Sequence, residues 1–253
     1  MAKQKFYVVW KGRKAGIFNT WAECKALVDG FAGAKYKSFT TLAEAEAAFG
    51  KKAAYQAKPA TTARTTAVKS NTLTQAGIDA MTQDVKIFTD GACEPNPGEA
   101  GTGLALYQHN QVTELWYGLY QAVGTNNTAE LKGLQQALLM AKNKLAEGLS
   151  VAIYCDSRYA IDCITKWAKG WKSKGWKKST GEIKNLDIIQ PAFELYQELL
   201  GQVEICHVNG HVGVEGNELA DRMSIIAIEQ QTENLCLYQE AYDIKGILAL
   251  RRG

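Results

Sequence analysis

Four acidic residues stand where a strand ends or a helix begins, namely Asp90, Glu130, Asp156 and Asp221. Asp90 ends the apolar run VKIFT and starts the loop DGACEPNPG, and Asp156 ends the run VAIYC. If these two strands are neighbours, both carboxylates emerge at one edge of the sheet. Glu130 and Asp221 lie near the starts of two helices. Four converging carboxylates repel strongly at a few ångströms unless cations lie between them, so the pattern points to a metal site.

Mg²⁺ suits such a set because it prefers hard oxygen ligands and keeps waters and phosphate oxygens in its shell. Two such ions about 4 Å apart can activate a water and stabilise the leaving oxygen of a phosphodiester. The chain contains neither a P-loop nor a Ser–His–Asp order that would suggest a competing chemistry.

Each acid also has a purely structural explanation. Glu130 can close a capping box with Asn127, and Asp156 can be a helix N-cap. Asp221 can complement a helix dipole. These explanations are common for single acids, and they lose weight when four acids occur together.

Two histidines raise the question of zinc, since His207 and His211 are four positions apart. A second ligand pair is absent, and the glycine-flanked loop is not a helix that would align the two rings, so zinc is disfavoured. His211 lies ten positions before Asp221. A histidine on such a loop is better placed to shuttle a proton or to aid product release.

The hydrophobic pattern that must position these residues predicts four regions. Residues 1–50 contain a β-β-α-β-α module, with capping boxes at Thr20/Glu23 and Thr41/Glu44. Residues 51–83 lack an apolar period and are predicted to be a flexible linker. Residues 84–231 are predicted to be an α/β domain, a mixed five-stranded sheet flanked by helices. Residues 232–253 form a C-terminal extension of unknown role, strand-like at ENLCLYQ.

The composition bears on the binding partners and on the cellular compartment of the protein. The net charge is +3, but residues 1–60 carry 11 basic against 4 acidic side chains and the remainder carries 18 against 22. A basic segment joined to a slightly acidic body suggests contact with a polyanion. The six cysteines are scattered without a CxxC pair, as expected of reduced thiols in the cytoplasm. No apolar run approaches the length of a membrane span.

Four segments in order, FTDGACEPNPG, GTNNTAELKG, IYCDSRY and NGHVGVEGNELAD, resemble type 1 ribonuclease H over essentially all of residues 84–231. The resemblance implies that Asp90, Glu130, Asp156 and Asp221 bind two Mg²⁺ ions, with Mn²⁺ able to substitute, and that His211 assists turnover. It also implies hydrolysis of the RNA strand of RNA–DNA hybrids, leaving 5′-phosphate and 3′-hydroxyl ends. We expect a monomer.

The resemblance also implies which residues contact the hybrid. Asn96, Thr125, Asn126 and Asn127 would face the wide minor groove, where 2′-hydroxyls distinguish RNA from DNA. The stretch KWAKGWKSKGWKK (166–178) has six lysines, three tryptophans and no acid, and resembles the basic protrusion that contacts the DNA strand. The residues expected to contact it there are Trp167, Trp171, Lys172, Lys174, Trp176 and Lys177. The alternative is a solvated amphipathic helix with Trp167 and Trp171 packed together.

The N-terminal module resembles the viroplasmin-like hybrid-binding domain found before some of these nucleases. Tyr7, Trp21 and Tyr36 are aromatic residues among basic ones, and aromatic faces can pack on sugars or bases while lysines such as Lys37 neutralise phosphates. The alternative is that Trp21 belongs to the core of the module.

Two other functions stay open at this point. The protein could bind hybrids without cutting them, with its acids only capping helices. It could also use the same fold for other phosphodiester chemistry, such as strand transfer or junction resolution, because fold alone does not fix function.

Overall fold

The computed structural model describes residues 5–29, 31, 34–53, 72–178, 181–210, 213–240 and 242–253. The chain divides into two units, Met1–Ala67 and Val68–Gly253, and each is described by itself.

The N-terminal unit follows the predicted order of elements. Its strands are β1 (Phe6–Lys11), β2 (Gly16–Phe18) and β3 (Lys35–Phe39), and its helices are α1 (Trp21–Val28) and α2 (Leu42–Ala53). The strands form an antiparallel sheet in the order β2-β1-β3. The predicted capping box starts α1, because the Thr20 side chain accepts from the Glu23 N–H and the Glu23 side chain accepts from the Thr20 N–H. Val8, Val9 and Cys24 are completely buried, which gives this small sheet a core.

The larger unit is built on a mixed sheet in the order β10-β7-β6-β5-β8-β9-β4. Its strands are β4 (Thr72–Leu73), β5 (Val85–Glu94), β6 (Gly98–Gln108), β7 (Gln111–Gly124), β8 (Val151–Cys155), β9 (Val203–Val208) and β10 (Cys236–Leu237). Its helices are α3 (Gln75–Asp79), α4 (Asn126–Ala146), α5 (Arg158–Asp162), α6 (Ala168–Lys172), α7 (Leu186–Glu198), α8 (Glu215–Glu229) and α9 (Ile244–Leu248). A π-helical turn, Cys163–Trp167, joins α5 to α6.

Strand β5 is the centre of this sheet, where antiparallel and parallel pairing meet. It pairs antiparallel with β6 and parallel with β8. Successive residues of β5 face opposite sides of the sheet. Ile87 packs into a core with α4 and α7, and Phe88 packs into a second core with α8. Helices therefore cover both faces, and the predicted fold class is confirmed.

Two details of the sequence prediction are wrong. The sheet has seven strands rather than five among the described residues, because the two-residue strands β4 and β10 extend its edges. The predicted flexible linker is also too long at its C-terminal end. Within residues 72–83, β4 pairs with β9, and Ile78 in α3 is 2% exposed in the core. Residues 54–71 of the predicted linker lie outside the described residues.

The C-terminal extension packs onto the larger unit. The strand expected in ENLCLYQ is β10, which pairs with β7 through Cys236 and Tyr117. Ile247 in α9 is 4% exposed in the same core as Phe88. Among the residues that the structure describes, no helix combines the length and the apolar character that crossing a bilayer requires.

Candidate active site

Asp90 and Asp156 lie side by side where the parallel pairing of β5 with β8 ends. In the parallel pair of β5 and β8, Thr89 is the partner of Cys155. Asp156 follows the end of β8, whereas Asp90 lies within β5, which continues to Glu94 in its pairing with β6. The two acids stand next to each other just beyond the last parallel pair. The expected proximity of Asp90 and Asp156 is found, but the prediction that Asp90 ends its strand is wrong, because residues 91–94 continue the antiparallel pairing with β6.

Two glycines let the other acids approach these strands. A Cβ atom on Gly91 of β5 would lie 2.4 Å from the Glu130 backbone nitrogen. A Cβ atom on Gly103 of β6 would lie 2.0 Å from the Ala220 carbonyl oxygen. Because both positions are glycine, α4 brings Glu130 and α8 brings Asp221 to the sheet edge where Asp90 lies.

Three of the four acids are buried, the fourth, Asp156, is half-buried, and their negative charges repel one another. Asp90, Glu130 and Asp221 are 6%, 5% and 3% exposed. Burial raises the pKa of Asp90 well above its ordinary value, and the charges of Asp156 and Asp221 raise it further. Burial likewise raises the pKa of Glu130, with Asp90 and Asp156 adding to the shift. Without a counter-charge, this group resists carrying four negative charges.

The donor set fits a divalent cation. Glu130 Oε2 is buried and has no hydrogen-bond partner among the described residues. A buried oxygen without a partner is unusual, and a metal ligand is one explanation for it. Ligand atoms of Glu130, Cys155 and Asp156 lie within 4.8 Å of one another. Burial raises the pKa of the Cys155 thiol well above its usual value, which keeps the sulfur neutral. The charged donors are therefore carboxylate oxygens, the ligands that Mg²⁺ prefers.

The capping explanations do not hold for two of the acids. The N-cap of α4 is Thr125, whose side chain accepts from the Thr128 N–H. The N-cap of α5 is Ser157, whose side chain accepts from the Ala160 N–H. Glu130 and Asp156 are therefore not needed to cap these helices.

Two neighbours of the acids escaped the sequence analysis. Asn217 is 1% exposed and its Nδ2 lies 3.4 Å from Asp156 Oδ2, so its amide orients that carboxylate. Arg222 is 1% exposed, and its Nη1 pairs with Asp221 Oδ2. Asn217 lies inside the quoted segment NGHVGVEGNELAD and could have been found there. Arg222 follows that segment and carries no comparable signal.

His211 lies outside the described residues, so its predicted role stays a prediction. His207 is described, and its Nε2 lies 3.0 Å from the backbone oxygen of Asp156. Burial lowers the pKa of His207, and the nearby Arg158 charge lowers it further. Its ring thus contacts the backbone beside an acid of the site.

The four residues predicted to face the minor groove surround the start of α4. Asn96 Oδ1 accepts from the Asn126 N–H at 3.3 Å, which ties the loop after β5 to this helix. Thr125 is the N-cap, and Asn127 is exposed. Capping and substrate contact are compatible, because the amide of Asn127 points to no described partner.

The basic stretch 166–178 includes the end of the π-helical turn and α6. Trp167 is 41% exposed, and its ring centroid lies 5.9 Å from that of Trp171, as the amphipathic-helix alternative expects. Trp176 packs edge-on against Phe193 of α7 at 6.0 Å. The tryptophans thus pack on their neighbours, and Trp167 keeps an accessible face.

The lysines of this stretch are not equivalent. Lys172 Nζ donates to Glu194 at 2.7 Å, and it lies 5.7 Å from the Phe193 ring centroid. Lys174 and Lys177 are exposed, and neither has an ion pair within the described ranges. The structure therefore engages Lys172 within the fold and leaves Lys174 and Lys177 as the stronger candidates for phosphate contact.

The N-terminal unit carries an aromatic patch, defined as Tyr7, Trp21 and Tyr36. The Trp21 ring centroid lies 5.6 Å from that of Tyr7 and 5.8 Å from that of Tyr36. Trp21 is 45% exposed and Tyr36 is 46% exposed, so the alternative that Trp21 is a core residue is wrong. Lys37, which is exposed, is the next residue after Tyr36.

Comparison with known proteins accounts for both units. A family model described as RNase H matches residues 82–229, and one described as Ribonuclease H1 N-terminal domain matches residues 5–49. Ribonuclease H1 of Mus musculus is 31% identical over 255 aligned positions, which cover 87% of each chain. The chain belongs to the ribonuclease H family.

Other ribonuclease H relatives cover one part of the chain. Ribonuclease H of Rippkaea orientalis is 40% identical over 165 residues, 64% of this chain and 94% of that protein. Ribonuclease H of Methylorubrum extorquens is 35% identical over 140 residues, and the match spans only 58% of that protein.

Solved structures support the fold. The solution structure of the PFV RNase H domain superposes with a TM-score of 0.50 at 23% identity, over 59% of this chain and 97% of that domain. The crystal structure of LC9-RNase H1, described as a type 1 RNase H with the type 2 active-site motif, gives a TM-score of 0.52 at 24% identity, over 66% of this chain and 86% of that one.

Proposed function

We propose that this protein is an endonuclease that hydrolyses the RNA strand of RNA–DNA hybrids with two metal ions, leaving 5′-phosphate and 3′-hydroxyl ends. One observation carries the proposal: Asp90, Glu130, Asp156 and Asp221 share one site, where burial and the charges of neighbouring acids raise the pKa values of Asp90 and Glu130. Membership of the ribonuclease H family supports it.

Asp90, Glu130, Asp156 and Asp221 would hold the ions, and we propose Mg²⁺ with Mn²⁺ as a substitute. Divalent cations bound there would supply an activated water and would stabilise the leaving oxygen of the phosphodiester. The Asp90 carboxylate is fixed in orientation because its Oδ1 accepts a hydrogen bond from the Gly91 N–H at 2.7 Å. Asn217 orients Asp156 in the same way. His211 is proposed to move a proton at the same site.

Substrate selection would come from surfaces around this site. The exposed Asn127 and the neighbouring Asn126 can meet the minor groove of the hybrid, where 2′-hydroxyls mark the RNA strand. The exposed lysines of 166–178 would contact phosphates of the DNA strand. The aromatic patch would add a second hybrid contact, and joining two binding units in one chain raises the overall affinity.

The test is cleavage of an end-labelled RNA strand alone, paired with RNA and paired with DNA, with Mg²⁺ and with EDTA. We expect cutting only of the RNA–DNA pair and only with Mg²⁺. The Asp90→Asn variant should not cut but should bind the hybrid with nearly unchanged affinity, because the amide keeps the shape of the carboxylate and loses its charge.

Glu229→Gln is a matched control, because Glu229 is an exposed acid at the end of α8. Cutting in EDTA or by the Asp90→Asn variant would contradict the proposed metal-dependent mechanism. Equal cutting of a DNA-only duplex would favour the broader phosphodiester chemistry, and tight hybrid binding without cutting would identify a non-catalytic hybrid-binding protein.

A further inference from the structure

The chain after α9 runs to the acids of the candidate active site. Arg251 Nη2 pairs with Glu94 Oε2 at 2.5 Å, at the end of β5. Arg252 Nη2 lies 3.6 Å from Glu218 Oε2, one turn before Asp221 in α8. Gly253 N donates to Asp221 Oδ1 at 3.1 Å. We call residues 251–253 the strap, because they connect the end of β5 with α8 across the site.

Both carboxylate oxygens of Asp221 therefore have a partner, and one of these two contacts is more easily broken than the other. Oδ2 pairs with Arg222, whose guanidinium is buried and also donates to the Leu248 carbonyl at 3.2 Å. Oδ1 accepts from Gly253, which lies on the exposed side of the site. The Arg222 contact is locked in by packing, whereas the Gly253 contact can open without disturbing the core.

The strap fits closely against the site. A Cβ atom on Gly253 would lie 2.8 Å from Asp221 Oδ1 and 3.3 Å from both Ala92 and Ile225. The two arginines are half exposed, with side-chain exposures of 55% and 59%. The Arg251–Glu94 pair is exposed on both sides, and such pairs contribute little stability. Glu218 is 14% exposed, but its distance of 3.6 Å from Arg252 makes the second contact a long one, so the strap can still be released.

We propose that the strap is an autoinhibitory contact, which holds the second oxygen of Asp221 and has to leave before a divalent cation can use that oxygen. This inference rests on the proposed function, because it takes Asp221 to be a metal ligand. An N–H group and a cation compete for the same carboxylate oxygen. Arg251 and Arg252 add positive charge that also opposes the approach of a cation.

Gly253→Pro tests the contact directly, because proline lacks the N–H that Asp221 accepts and leaves every charge in place. Mn²⁺ binding to the full chain without nucleic acid can be followed by the electron paramagnetic resonance signal of the unbound ion. We expect the variant to bind Mn²⁺ about fivefold more tightly than the wild type, the equivalent of one lost net hydrogen bond. An Arg251→Gln/Arg252→Gln variant should shift the affinity in the same direction.

Lys245→Gln is the matched control, since it removes a positive charge from exposed α9 outside the strap and should leave the affinity unchanged. Unchanged or weaker Mn²⁺ binding by Gly253→Pro would overturn the inference. If the wild type binds Mn²⁺ and Asp90→Asn abolishes that binding, such a result counts against the strap alone. If neither the wild type nor Gly253→Pro binds Mn²⁺, both the strap and the proposed metal site fail.

Discussion

At the scale of single residues, the candidate active site brings together acidic side chains whose ionisation the fold disfavours. Asp90, Glu130 and Asp221 are nearly buried, and the raised pKa values of the first two show that burial and like charge both oppose ionisation. Among the described residues, Arg222 supplies a buried counter-charge, and it pairs with Asp221. The site is therefore built for ligands that bring positive charge with them.

This conflict predicts a pH-dependent stability of the metal-free protein. The folded pKa values of Asp90 and Glu130 lie above those of the unfolded chain, so the folded state binds these protons more tightly. The free energy of unfolding therefore falls as the pH rises from the unfolded values through the raised folded values. Asp90→Asn removes one such group and should be about 1–2 kcal/mol more stable than the wild type near neutral pH.

Thermal unfolding in EDTA checks this prediction at about pH 7.5 and at about pH 2.5, where an unperturbed Asp carboxyl group is almost fully protonated in both states. The melting temperature of Asp90→Asn should exceed that of the wild type by about 2–4 °C per kcal/mol at the higher pH. The difference should vanish at the lower pH. A difference that stays constant with pH would show that it does not come from titration.

At the scale of elements, the stretch 166–178 combines packed tryptophans with exposed lysines, two of which, Lys174 and Lys177, follow the end of α6. Trp171 and Trp176 are half-buried against the core cluster that contains Phe193, and this packing fixes the stretch in place. Lys174 and Lys177 then project from a fixed support. A protrusion of this kind can contact phosphates without first becoming ordered.

We predict that Lys174→Gln/Lys177→Gln weakens hybrid binding and flattens its salt dependence. Each lost phosphate contact should reduce the slope of log K against log salt concentration by about 0.7–0.9. The matched control is Lys142→Gln/Lys144→Gln, two lysines of α4 that pair with acids of the fold. Titrations at several salt concentrations decide the matter, and an equal change of slope in the control would refute a specific role for the protrusion.

The elements also show what a sequence can reveal. Strand β5 and helix α4 have long apolar patterns, and Asp90 and Glu130 could be placed from those patterns, although β5 continues past its apolar run to Glu94. Strands β4 and β10 have two residues each, too few to carry any period, so they became visible only through their pairing. Arg222 resembles a surface residue in the sequence, and only the fold brings it between Asp221, Glu218 and the end of α9. The strap depends on the same contacts and could not be predicted either.

At the scale of the whole molecule, the proposed function assigns one ligand, the RNA–DNA hybrid, to surfaces on two folded units. The aromatic patch is exposed on the N-terminal unit, and the acids are buried in the larger one. Under the proposed function, the N-terminal unit adds binding affinity and the larger unit carries out the hydrolysis, so a change in the aromatic patch should leave the hydrolysis intact.

We predict that Trp21→Ala/Tyr36→Ala in the full chain weakens hybrid binding, with little change in the cleavage rate at saturating substrate. Loss of base or sugar stacking costs about 1–3 kcal/mol per contact. Leu42→Ala is the control, because Leu42 is 45% exposed on the same unit and lies outside the aromatic patch. Steady-state cleavage separates the two effects: KM should rise, and a large fall in kcat would contradict the division of labour.

The parallel pairing of β5 with β8 also determines when the acids meet as the protein folds. Strands β5, β6 and β7 pair with their neighbours in sequence, whereas Thr89 and Cys155 come from distant parts of the chain. Closing such a long loop is slow, so we expect Asp90 and Asp156 to come together after the folding barrier. Their repulsion would then speed unfolding and hardly slow refolding. In stopped-flow experiments without metal, Asp90→Asn should therefore unfold more slowly than the wild type and refold at a similar rate, and faster refolding of the variant would place the meeting of the acids before the barrier.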